Sequence, residues 1–153
     1  MAKLVTASDE LSLVRGREDA LANAVNTKNK AVLSMLTDRN FHLSWSYGSA
    51  IRNFSTDMSR EEWINSLNQL RIESYEIEIS KVYWAGRKTA RPSARLPVPS
   101  GAPLSAYVTL HEFWTLLSPR GQRIEKRVET LDWWIKQQGD WKLASRLCQS
   151  DAQ

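Results

Sequence analysis

The chain has 153 residues, with 21 basic against 17 acidic side chains and a net charge of +4. That length fits one domain, 1–153, with a real core, and its charges are interleaved rather than gathered into the basic stripe that nucleic acid requires. A single cysteine, Cys148, excludes an internal disulfide and a multi-cysteine metal site.

No stretch reaches the roughly 20 apolar residues of a membrane span. The opening MAKLVTASDE lacks the apolar run of a secretory signal, so the expected compartment is the cytoplasm.

Ser8 is placed to cap a first helix, with Asp9 and Glu10 at its positive end. Leu11, Val14, Leu21 and Val25 then recur at helical spacing. Thr27 is the expected cap of a short second helix carrying Val32, Leu33, Met35 and Leu36. Phe41 to Tyr47 alternates apolar and polar residues, as a half-buried strand does. A short strand is expected near Ile51 to Phe54. The third helix starts at a capping box, Ser59 with Glu62, flanked by Met58 and Trp63 at staple positions. From Tyr75 the period changes to two.

The stretch 87–103 holds four of the five prolines and four basic residues, which reads as a long loop. Such a loop is either a lid or contact surface, or a tolerated insertion. Three long strands follow, about Leu104 to Leu117, Gln122 to Gln137 and Trp141 to Gln149. Turns at Ser118–Gly121 and Gln137–Asp140 separate them.

Arg60-Glu61-Glu62-Trp63 on a capped helix, then Asp132-Trp133-Trp134-Ile135 and Gly139-Asp140-Trp141-Lys142-Leu143 in the long strands, resemble the SnoaL-like branch of the nuclear-transport-factor-2-like superfamily. The match is to its bacterial members of unassigned function, and it spans about Ser8 to Ser150 apart from the proline-rich stretch. The resemblance implies an α+β cone-shaped roll, with a curved antiparallel sheet of about six strands wrapped around three helices from the N-terminal half. It also implies a pocket in the cone's mouth and homodimers through the sheet's outer face. Many relatives place a histidine where this chain has Leu147.

If Ser118 pairs with Gly121 and Gln137 with Asp140, the two hairpins bring one set of side chains to one face. That set includes Tyr107, His111, Phe113, Thr130, Asp132, Trp134, Ser145 and Leu147. An apolar face with a few convergent polar groups is how small-molecule sites look. Asp132 is the candidate base, raised in pKa by desolvation, or else a structural acceptor for Tyr107 and Ser145. His111 would relay protons and Tyr107 would stabilise an oxyanion, or His111 is a satisfied core histidine. Trp45 and Tyr47 are candidates for the opposite wall, or simply core. The two histidines fall on different faces, so no metal site is expected.

The expected activity is small-molecule binding. One form is a cofactor-independent isomerase, dehydratase or cyclase acting on an apolar carbonyl or hydroxyl compound. The alternative is a non-catalytic ligand-binding or dimeric assembly module, and an adaptor using the 87–103 loop ranks third. No cofactor is expected, and neither nucleic acid nor membrane is an expected partner.

Overall fold

The structure, a computed structural model, describes residues 7–51, 54–84 and 104–150. The proline-rich stretch 87–103 lies outside them. In chain order the elements are α1 (Ala7–Thr27), α2 (Lys30–Leu36), β1 (Thr37–Ser46), β2 (Asp57–Ser59), α3 (Arg60–Gln69), β3 (Ile72–Trp84), β4 (Leu104–Leu117), β5 (Arg123–Gln137) and β6 (Asp140–Ser150). The expected α+β class, with three helices and six strands, is present.

The helices begin where local chemistry places them. At α3 both halves of the capping box form: the Glu62 amide donates to the Ser59 hydroxyl at 3.3 Å, and the Ser59 amide to the Glu62 carboxylate at 3.2 Å. Met58 and Trp63, flanking it, are both buried. Thr27 does not cap α2. It stays in α1, its hydroxyl donating to the Asn23 carbonyl at 2.9 Å, and Lys28 turns left-handed at φ 52. That break passes the capping position to Asn29, whose side chain accepts from the Val32 amide at 3.2 Å.

The six strands form one open sheet in the order β2-β1-β6-β5-β4-β3. It is mixed rather than wholly antiparallel, because β1 runs parallel to β6. The strand expected at Ile51 to Phe54 forms instead at Asp57–Ser59. Ile51 and Phe54 sink into the core, Phe54 edge-on to Trp114 at 6.2 Å, so they pack rather than pair. The core gathers Val14, Leu21 and Val25 of α1, Leu33 and Leu36 of α2, and Trp63 and Leu67 of α3 against one face of the sheet. Asn26 fastens α1 to β3 by holding both backbone groups of Tyr75, at 2.5 and 2.9 Å.

Strand register decides what that face carries. The first hairpin does not close with Ser118 opposite Gly121. The Ser118 amide donates to the Gln122 carbonyl at 2.8 Å, and Gly121 takes φ 80 as an extra residue in the turn. This is the three-residue loop with a left-handed bulge residue, which glycine accepts without strain. Val108 therefore lies opposite Asp132 and Glu112 opposite Val128. The second hairpin closes as expected, Gln137 with Asp140 and Trp134 with Leu143. Ala144 is then left unpaired, so Asp132 meets Arg146 rather than Ser145, and Thr130 meets Cys148 rather than Leu147.

Candidate functional site

Each one-residue slip turns a strand over, because side chains alternate with period two. Asp132, Thr130 and Trp134 of β5 and Trp45 of β1 point into the core, as expected. Tyr107, His111 and Phe113 of β4, and Ser145 and Leu147 of β6, do not join them. All five lie on the outer face, where Leu147 is 44% exposed. Tyr47, just past the end of β1, takes φ 65 and is 98% exposed, so it builds no wall of the interior. The shared hollow expected for Tyr107, His111 and Asp132 is therefore corrected: Asp132 has the sheet between itself and the other two.

What the slips bring inside is a buried polar cluster. Arg146 Nε and Nη2 donate to the two Asp132 carboxylate oxygens at 2.7 and 2.8 Å. Arg146 Nη1 reaches the Tyr75 hydroxyl at 3.2 Å and Glu112 Oε2 at 3.3 Å. Tyr75 in turn donates to Glu112 Oε2 at 2.6 Å, and the Thr130 hydroxyl donates to Glu112 Oε1. The Trp63 ring centre lies 5.7 Å from the Arg146 guanidinium carbon, a cation–π distance. Burial works against the guanidinium's charge, yet Asp132, Tyr75 and Glu112 more than offset it and hold Arg146 firmly protonated. Burial likewise pushes up Tyr75 and Cys148, keeping both neutral.

Glu18 completes the cluster from α1. It is 1% exposed and 3.8 Å from Arg146 Nη2; no other described residue donates a hydrogen bond to its oxygens, but as the protonated acid it hydrogen-bonds to the Asp132 carboxylate. Burial first, and then the Asp132 charge, raise its pKa well above the ordinary carboxylate range. One guanidinium cannot balance three buried carboxylates, so one of them keeps its proton. Glu18 is that one, because Asp132 and Glu112 have the direct hydrogen bonds.

The sequence carried a signal for Glu18. It falls at helical spacing between Val14 and Leu21, on the stripe that α1 turns to the core. Arg146 and Glu112 gave no such signal, since both alternate with apolar residues on strands whose facing depends on two bulges. Under the expected register Glu112 would pair with Arg127 outside; it bonds to Tyr75 and Thr130 inside, while Arg127 lies over Phe113 on the outer face at 5.6 Å.

The outer face is partly apolar. Tyr107 stacks on Trp133 at 6.2 Å, and Tyr83, Tyr107, Trp133 and Leu147 are each more than a third exposed. A groove of about 330 Å³ on this face includes Thr109, His111, Glu129, Leu131 and Leu147. Within it His111 Nε2 stands 3.7 Å from the Glu129 carboxylate.

No family model and no curated protein matches the chain. Its fold is that of the nuclear-transport-factor-2-like proteins, the cone into which a ketosteroid isomerase-like protein from Erwinia carotovora atroseptica also folds. That structure superposes with a TM-score of 0.66 at 13% identity, covering 95% of this chain and 98% of the other. A nuclear-transport-factor-2-like protein of unknown function in nutrient uptake from Rhodospirillum rubrum gives 0.63 at 13% identity, over 91% and 98%. A hexachlorocyclohexane dehydrochlorinase of type 2 gives 0.61 at 8% identity, over 94% and 86%. At these identities the likeness is one of fold. No helix among the described residues is long and apolar enough to cross a membrane.

Proposed function

We propose that this protein binds a small, largely apolar molecule inside its cone, with Glu18 as the acid–base group and no cofactor taking part. The buried Glu18 carboxyl, raised in pKa beside Asp132 and 3.8 Å from Arg146, carries the reading. Carboxyls whose pKa is raised by burial and by a neighbouring carboxylate concentrate where a reaction uses them. A protonated Glu18 can donate to a carbonyl or hydroxyl oxygen, and the carboxylate left behind is stabilised by Arg146 at 3.8 Å. Asp132, with both oxygens held by Arg146, positions that guanidinium instead of acting as the free base. Solved proteins of this fold carry the names ketosteroid isomerase-like protein and dehydrochlorinase, which is compatible with proton chemistry in such an interior.

The test is α-proton exchange of a cyclic ketone in D₂O, followed by NMR. The native chain should accelerate exchange over buffer, and Glu18→Gln should abolish the acceleration while remaining folded. Equal rates for the two proteins would remove Glu18 from the chemistry.

A second reading, an assembly module, is favoured by the exposed Tyr107–Trp133 stack. Paired aromatic residues beside Leu147 are the composition of an interface core. A homodimer through the outer face accommodates both readings, since the ligand site lies on the opposite side of the sheet.

A further inference from the structure

A further groove opens at the tip of the β4–β5 hairpin, apart from the charged interior. It has a volume of about 580 Å³ and is lined by Leu70, Arg71, Leu116, Leu117, Pro119 and Ile124, where the C-terminal end of α3 meets the hairpin. That volume is in the range of small-molecule pockets. The Leu117 amide donates to the Arg71 carbonyl at 2.9 Å, which seats the end of β4 beside the segment leaving α3. Leu116 pairs with Ile124 across the hairpin. Leu70 and Leu116 are buried, whereas Leu117 and Ile124 stay 37% and 39% exposed. Large apolar side chains left in water along a concave surface gain by being covered.

Three features of charge bear on what would cover them. No Asp or Glu lines the groove. Arg71 is exposed and, among the described residues, its guanidinium has no hydrogen-bond or ion-pair partner. Glu73, the acid nearest to it in sequence, is held by Arg123 through two hydrogen bonds of 2.9 and 2.7 Å. The carbonyl end of α3, whose partial negative charge would oppose an anion, is covered as well. There Lys28 Nζ donates to the carbonyls of Asn68 and Leu70.

We infer that this groove binds a small organic carboxylate with an apolar tail, the carboxylate on Arg71 and the tail along Leu117 and Ile124. A planar guanidinium offers a carboxylate two parallel donors, and each methylene laid on the apolar lining leaves water. The site is independent of the acid–base reading of the interior, and no reaction is assigned to it.

Octanoate, octanol and octylamine test it, each titrated below its aggregation limit into chain carrying carbon-13 methyl labels on Ile and Leu. Octanoate should move the Ile124 and Leu117 methyl signals to saturation. It should bind about fivefold more tightly than octanol, the upper end for a solvent-open ion pair, and octylamine should bind weakest. Arg71→Gln should bring octanoate to the level of octanol. Arg71→Lys should restore part of the difference, since the charge returns without the fork. Arg71 is exposed, so both variants should fold, which their thermal midpoints check. Octanoate binding no tighter than octanol, or undiminished in Arg71→Gln, overturns the inference. Unmoved methyl signals at Ile124 and Leu117 overturn it too, and a shifted indole signal from buried Trp134 would then place the ligand inside the cone.

Discussion

Arg146 and Asp132 face each other across β6 and β5 as a fork, with two nearly parallel hydrogen bonds of 2.7 and 2.8 Å and both side chains almost wholly buried. Such bidentate pairs are the strongest and most directional of protein ion pairs. The pair exists because Ala144 bulges out of β6 one residue before Ser145 re-enters the ladder. Without that bulge Arg146 would point outward and Asp132 would be buried unpaired. The fork also aims the remaining guanidinium nitrogen at Tyr75 and Glu112.

Breaking the fork from one side should therefore be severe. Asp132→Asn should lower unfolding free energy by about 3–5 kcal/mol, the cost of leaving one member of a buried pair alone. Urea denaturation measures it. Asp132→Leu combined with Arg146→Met should recover much of the loss. A cost below about 1 kcal/mol for Asp132→Asn would place the pair in a wetter setting than the structure shows.

Tyr75 should couple to Glu112. Tyr75→Phe removes the donor at 2.6 Å and leaves Glu112 Oε2 with Arg146 alone, so a loss of about 1–3 kcal/mol is expected. Glu112→Gln in the same cycle should be non-additive with it by more than about 0.5 kcal/mol. Strict additivity would mean that the two side chains do not share a hydrogen bond in solution.

Glu18 gives stability a defined pH dependence. Its pKa is raised in the folded chain, by burial first and the Asp132 charge second. Below about pH 4.3 the unfolded chain also holds this proton and nothing is lost. Above that value the unfolded state releases the proton while the folded state keeps it, so stability falls as pH rises, until the folded group itself ionises. The slope is about 1.4 kcal/mol per pH unit. Unfolding free energies of native chain and Glu18→Gln should thus diverge with rising pH, the variant gaining relative to the native protein. Parallel curves would mean that Glu18 titrates as an ordinary surface acid.

Gly121 fixes the first hairpin. At φ 80 it occupies a conformation that costs a side-chain-bearing residue about 1–2 kcal/mol. Nothing crowds the place of its missing side chain, so Gly121→Ala should cost only that backbone penalty, read from the thermal midpoint. A larger loss, with altered near-ultraviolet dichroism, would show that the register itself had moved.

The outer face offers the last test. Trp133→Glu places a charge in the exposed Tyr107–Trp133 stack without touching the core. Sedimentation should show a dimer for the native chain and a monomer of unchanged fold for the variant. A native monomer would remove the interface.

Local order along the chain settled much of this protein. The capping box at Ser59 and Glu62, the period-two strands and the turn at Gly139 are decided by groups a few residues apart. The stripe of Val14, Leu21 and Val25 shows which side of α1 is buried, and Glu18 stands on it. Which residues share the interior was decided elsewhere. Gly121 and Ala144 each add one residue to one strand, and a side chain's face depends on the parity of that count. The alternation of β4 and β6 reads equally well in either parity: Tyr107 and His111 on one side, Val108 and Glu112 on the other. Only packing chose between them. Arg146 turned inward can meet Asp132, Glu112 and Tyr75 at once, and that long-range compensation of buried charge is invisible to any pattern of neighbours.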